Sequence, residues 1–145
     1  MARIRDGTAE DLQALRAIQA ATLDEPWPEL LETALKGSDA GPTVVVLETT
    51  EPVGYALVVA DAEDLAYVPE FAVHPDHQGE GYGSELMAGL CDRLAYAGYG
   101  RLRLTVRVTD RRARAFYDQQ EFGVVDRLDD HFEAGDGLVL ERQLE

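Results

Sequence analysis

The stretch FAVHPDHQGEGYGSELMAGL, residues 71–90, decides how the rest of the chain is read. An apolar run ending in Val73 meets His74-Pro75, and Pro75 cannot continue a strand ladder. Three glycines follow at alternate positions, Gly79, Gly81 and Gly83, and after them apolar residues recur at helical spacing through Leu86, Met87, Leu90 and Leu94. A strand, a glycine loop and a helix are therefore predicted in that order. Glycine lets several peptide N–H groups converge on one anion, and the helix start adds free N–H groups and the positive end of its dipole. Such a loop can hold phosphate without a lysine. A glycine-rich turn with no ligand is the competing reading.

Spacing excludes two familiar alternatives. A P-loop needs a lysine beside its last glycine, and no lysine lies between Gly79 and Ser84. The dinucleotide fingerprint opens a first βαβ unit, whereas this loop stands in mid-chain with different spacing.

Working outward, Ile4 marks a short first strand, and Thr8-Ala-Glu-Asp11 reads as a helix cap. Leu12, Leu15, Ile18, Ala21 and Thr22 form a helical face ending near Leu23, and Pro28 starts a second helix that stops near Gly37. Strands are predicted at Thr43–Glu48, Tyr55–Ala60 and Leu65–Val73, with Glu51-Pro-Val-Gly54 as a turn. After the helix from Gly83 or Ser84 to about Tyr96, Arg101–Val108 alternates polar and apolar as a half-buried strand does. A last helix over Arg111–Gln120 precedes strands at Phe122–Arg127 and Gly137–Arg142, separated by an acidic loop with Asp129, Asp130, His131, Glu133 and Asp136. This order implies one α/β (α+β) domain over residues 1–145: a mixed, mostly antiparallel sheet of six to seven strands flanked by four helices.

A second run joins the first. Gln78, Gly81 and Gly83 fit Gln/Arg-x-x-Gly-x-Gly/Ala, and Asp110-Arg-Arg-Ala113-Arg-Ala-Phe-Tyr117-Asp-Gln-Gln-Glu121-Phe122 follows Asn-x-x-Ala-x-x-x-Tyr-x-x-x-Gly-Phe at all but two of its named positions. Together they resemble the acetyl-CoA-binding motif and the catalytic-tyrosine helix of the GNAT superfamily of N-acetyltransferases. The resemblance implies the GNAT acyl-CoA N-acyltransferase fold and acetyl transfer to a primary amine, of a small molecule or a protein, by direct attack in a ternary complex. It implies that backbone around Phe71, Ala72 and Val73 pairs with the pantetheine arm and that Val73 helps hold the oxyanion. Amides of Gln78, Gly79, Glu80, Gly81, Tyr82, Gly83 and Ser84 then take the pyrophosphate, with Asp110 and Ala113 beside them. It also implies Tyr117 as general acid, Glu70 as base, and a phosphate contact from one of Arg111, Arg112 and Arg114. Two departures stand out: Asp110 replaces asparagine, and Glu121 replaces a glycine whose place Gly123 is expected to take. Ribosomal-protein alanine acetyltransferases, which resemble this chain in the same motifs, carry a glutamate where Thr105 stands here. A non-catalytic acyl-CoA-binding module is the alternative.

The remaining composition limits the partners. Acidic residues number 28 against 13 Lys and Arg, for a net charge of −15. Lys36 is the one lysine, and half of the arginines lie between Arg101 and Arg114. The acids are dispersed, which suggests a solvated coat suited to concentrated salt and argues against nucleic acid as a partner. Neither a signal peptide nor a membrane-length apolar run is present, so a cytoplasmic protein is expected. The single Cys91 falls on the apolar face of its helix and reads as a core thiol. His74, His77 and His131 lack metal spacing, and no metal is expected. An amine acceptor is the partner expected, gripped by Trp27, Glu25 and the acidic segment Asp129–Glu133; a homodimer is left open.

Overall fold

The computed structural model describes residues 2–37, 41–132 and 135–144. Strands β1 (Arg3–Asp6), β2 (Thr43–Glu48), β3 (Pro52–Ala62), β4 (Leu65–Val73), β5 (Arg101–Arg107), β6 (Gly123–Phe132) and β7 (Gly135–Gln143) form one sheet in the order β1-β2-β3-β4-β5-β7-β6. Every neighbouring pair is antiparallel except β4 and β5. Helices α1 (Leu12–Thr22) and α2 (Pro28–Lys36) cover one face, and α3 (Tyr82–Tyr96) and α4 (Arg111–Gln119) cover the other. The mixed, mostly antiparallel sheet and the four helices agree with the sequence reading.

Alternation along the strands builds both layers. On β3, Tyr55 and Leu57 pack with Leu15, Ile18, Leu31 and Leu35 of α1 and α2, whereas Ala56 and Val58 pack with Leu86, Met87, Leu90 and Leu94 of α3. Burying each such side chain contributes about 1.5–3 kcal/mol, so the two helical layers are fastened independently through one sheet. Cys91 belongs to the α3 layer, where burial pushes its thiol up. At the chain start, the Thr8 N–H donates to Asp11 Oδ2 at 2.8 Å, and Arg5 grips the Asp11 carboxylate with both Nη atoms at 2.8 Å, fixing the entry to α1.

Three boundaries differ from expectation. Pro52, Val53 and Gly54 belong to β3, because the reversal from β2 is completed by Thr49–Glu51. The acidic segment is not a loop: Asp129, Asp130 and His131 lie in β6 and Asp136 in β7, and a strand with little burial on either face shows no apolar alternation to read. Gly123 does not take over the closing of α4. Glu121 itself adopts the left-handed conformation with φ 68°.

The sheet opens at its centre. β4 and β5 pair only through Leu65, Ala66 and Tyr67 opposite Arg101, Leu102 and Arg103, after which the strands part. Tyr67 Oη and Thr105 Oγ1, 2.6 Å apart, bridge the fork near its base. Beside it β4 carries a bulge: Leu57 faces Glu70 and Val59 faces Tyr67, so three steps on β4 match two on β3. The extra residue falls at Val68-Pro69, where a missing N–H is tolerated. It exchanges the faces. Val68 packs with the α3 layer, but Ala72, also even-numbered, packs with the α1 and α2 layer.

Candidate active site

Two openings meet at the fork. A groove of about 600 Å³ runs along the glycine loop and is lined by Phe71, Val73, Gln78, Gly79, Gly81, Gly83, Ser84, Arg112 and Phe116, among others. A cavity of about 210 Å³ on the other side is lined by Asp24, Glu25, Glu70, Thr105, Arg107, Tyr117 and Phe132, among others. Thr22, Phe71, Asp110 and Ala113 line both, so the two communicate across β4 and the start of α4.

Backbone geometry makes the groove. Gly79 and Gly81 take φ 83° and 85°, and a Cβ at either would meet no atom within 4 Å, so the dihedral and not crowding requires glycine. Gln78 Nε2 donates to the Val73 carbonyl at 3.0 Å and ties the loop to the end of β4. The first helical bond runs from Glu85 N–H to the Gly81 carbonyl, leaving the N–H groups of Tyr82, Gly83 and Ser84 free at the positive end of α3. A Cβ on Gly83 would come within 3.2 Å of Phe116, so this residue also lets α4 approach. Ala72, Glu80 and Tyr82 do not line the groove with their side chains: Ala72 is buried on the opposite face, Glu80 pairs with His77 at 3.5 Å, and Tyr82 packs toward the core. Any part they have is through backbone. Of the three arginines on α4, Arg112 lines the groove; Arg114 donates to the Val108 carbonyl at 2.8 Å and Arg111 lies on another surface.

Asp110 caps α4, its Oδ1 accepting the Ala113 N–H at 3.0 Å. A carboxylate serves the helix start as well as an amide oxygen, which accounts for the substitution of asparagine. At the other end, the Phe122 N–H donates to the Tyr117 carbonyl and the Glu121 N–H to the Asp118 carbonyl, the paired bonds of a Schellman ending. Its apolar contact is Tyr117 on Phe122, with ring centroids 5.4 Å apart. Phe71 and Phe116 complete the aromatic cage at 6.2 and 5.1 Å.

Tyr117 is thereby held with 8% of its surface exposed. Its hydroxyl has no hydrogen-bond partner among the described residues, yet no fully buried side-chain oxygen there lacks a partner, so this hydroxyl meets solvent in the cavity. Burial, reinforced by the Asp110 carboxylate, pushes the phenol well above its ordinary value. It keeps its proton at neutral pH.

Glu70 is 4% exposed. Its Oε1 accepts from Gln19 Nε2 at 2.8 Å and Tyr55 Oη at 2.9 Å, and its Oε2 accepts from the Trp27 N–H at 2.7 Å. It shares the α1 and α2 face with Ala72, as alternation predicts, and still lines the cavity. Burial and the adjacent Glu70 push the Tyr55 phenol up, so Tyr55 acts as a fixed donor.

Of the residues expected to grip an acceptor, Glu25 lines the cavity. Trp27 is 54% exposed and does not, nor do Asp129, Asp130 and His131 on β6; Glu133 lies outside the described residues. Phe132, within the expected Asp129–Glu133 segment, lines the cavity, whereas sequence reasoning missed Thr22, Asp24 and Arg107. Arg107 alone left a trace, as the last arginine of an alternating strand. Among the described residues no cluster of three or more His, Cys, Asp or Glu side chains could hold a metal, and no helix is long and apolar enough to cross a membrane.

No curated protein matches the chain. Solved structures do. Ribosomal-protein-S18-alanine N-acetyltransferase from Escherichia coli superposes with a TM-score of 0.88 at 22% identity, over 100% of this chain and 95% of the other. Ribosomal-protein-alanine N-acetyltransferase from Brucella melitensis gives 0.84 at 22% identity, over 98% and 99%. A GNAT family acetyltransferase from Elizabethkingia anophelis, crystallised with acetyl-CoA bound, gives 0.83 at 16% identity, over 99% and 98%. At these identities the likeness establishes the fold. The model of the Acetyltransferase (GNAT) family matches residues 12–123, spanning both motifs, and so the chain belongs to the GNAT family of acetyltransferases.

Proposed function

We propose that the chain transfers an acetyl group from acetyl-CoA to a primary amine by direct attack, with both substrates bound. The observation that carries this is the meeting of the two openings at the unpaired flank of β4, with the Tyr117 hydroxyl free in the cavity. In this reading the amides of Gln78 to Ser84 take the pyrophosphate and Arg112 a further phosphate, while the flank Phe71–Val73 pairs with the extended arm. The amine attacks the thioester carbonyl, the C–N bond forms, and the C–S bond breaks. Backbone N–H near Val73 stabilises the charge gathering on oxygen.

Protons are divided between two groups. Tyr117, kept neutral, donates its proton to the departing sulfur and regains one from the nitrogen, which sheds it as the amide forms. Glu70, held in place by its three donors, faces the acceptor's ammonium and takes its proton through water. The amine then attacks in its neutral form.

The test is release of coenzyme A with a mixed panel of small amines, peptides and proteins, beside calorimetry of acetyl-CoA. Saturable binding with amine-dependent thiol release is expected. Saturable binding without turnover on any acceptor would make the protein an acyl-CoA-binding module instead.

A further inference from the structure

Asp24, Glu25, Glu70 and Asp110 give the cavity four carboxylates, against the single guanidinium of Arg107. Two of the four are committed to the fold: Glu70 to its three donors and Asp110 to the α4 cap. Asp24 and Glu25 are not. Their partner among the described residues is Arg107, whose Nη2 lies 2.7 Å from Glu25 Oε2 and whose Nη1 lies 3.6 Å from Asp24 Oδ2. Phe132 covers this guanidinium, its ring centroid 5.1 Å from Cζ. The cavity thus contains a seat for a cation, filled by a side chain tethered to β5.

An independent feature of the same cavity points to a ligand. Tyr117 is more than nine-tenths buried, and its hydroxyl, without a partner among the described residues, opens into this space. A proton donor and a cation seat therefore share one small volume. The seat is easily exchanged. Glu25 and Asp24 side chains are 37% and 79% exposed, and ion pairs of this kind contribute at most about 1 kcal/mol. An ammonium that displaced Arg107 would restore what it removed.

We infer that the acceptor is a short aliphatic diamine: one nitrogen is acetylated beside Tyr117 and the other, still protonated, displaces Arg107 from Glu25 and Asp24. This rests on the acetyl-transfer reading above and names its substrate class. An α-amino acid is disfavoured, because its carboxylate would join four others. The distant negative charge of the protein cannot substitute for the seat, since at 0.15 M salt the Debye length is about 8 Å.

The experiment compares kcat/KM for α,ω-diaminobutane and butylamine with acetyl-CoA at about 0.15 M KCl. The diamine is expected to exceed the monoamine by up to about fivefold, the factor that an exposed charge contact allows. Glu25→Gln should bring the ratio close to one, and Glu25→Asp should keep most of it. Arg107→Gln, which empties the seat, should lower the diamine KM severalfold and decides the matter if Glu25→Gln melts early. Equal kcat/KM for the two amines in the unmodified protein overturns the inference while acetylation itself stands. If no amine of any class is acetylated, the acetyl-transfer reading fails. Calorimetric binding of diaminobutane, lost in Glu25→Gln, then still decides the seat.

Discussion

The groove and the cavity lie on either side of one strand and are built from different materials. The glycine loop and the start of α3, with the N–H groups of Tyr82, Gly83 and Ser84 free of helical partners, form the floor of the groove. Side chains from the α1–α2 connection, β4, β5, α4 and the end of β6 form the cavity. A site made of backbone needs the same few residue types wherever it occurs. A site made of side chains can be rewritten one position at a time, so under the proposed acetyl transfer the groove would fix the donor and the cavity would set the acceptor.

The sharpest way to separate the two is Tyr117→Phe, which removes the cavity's proton donor and leaves the aromatic cage. Turnover should fall about hundredfold, within the range of general acid catalysis, while the acetyl-CoA Kd measured by calorimetry stays within about threefold of the original. A fall in both would mean that Tyr117 belongs to the groove. The converse is Gly81→Ala. Open space around the Cβ leaves only the cost of a left-handed dihedral, about 1–2 kcal/mol, so acetyl-CoA should bind about tenfold more weakly with little change in the acceptor KM. An unchanged Kd would show that the loop holds no phosphate.

Glu121→Gly probes the anchoring of Tyr117 without touching either opening. The left-handed position strains any residue with a Cβ, and glycine there should stabilise the protein by about 1 kcal/mol, read as a melting temperature a few degrees higher. A lower melting temperature would mean that the 3.7 Å contact of Glu121 with Arg142 outweighs the strain. The smallest expected effect is none at all. Burial raises the Tyr117 phenol above its ordinary value of about 10, so its acid form persists through that pH and is lost only above it. kcat should hold level between about pH 8 and 10. An alkaline fall within that window would assign the acid to another group.

The same contrast explains what could be read from the chain. Gln78, Gly81 and Gly83 announced the groove because each position has its own constraint: a side-chain bond to the Val73 carbonyl, a left-handed dihedral and the approach of Phe116. Tyr117 was legible through its spacing from Asp110 and Ala113, which a helix converts into one face. Glu70 was legible as a strand residue, but alternation alone does not say which layer it faces, and the bulge at Val68-Pro69 exchanges the faces along the strand. Pro69 was the available sign, since proline within a strand marks an edge or a bulge. Arg107, Thr22 and Phe132 lie far apart in sequence and meet only because β4 and β5 diverge. No local pattern encodes a divergence. The length of β6 was hidden for a related reason: Asp129 and Asp130 read as loop, yet solvent on both sides of a strand imposes no apolar period.

The fork has a consequence for solubility. From Val68 to Val73, β4 is in the middle of the sheet but has a free side, with donors and acceptors that any extended peptide could zip onto. An outermost strand is usually defended by charge or by shortness, and neither is open to an interior strand that must receive a ligand. Here Pro69 deletes one amide and the bulge breaks the repeat. The residues that make the strand irregular thus also keep its free side from nucleating intermolecular β-structure.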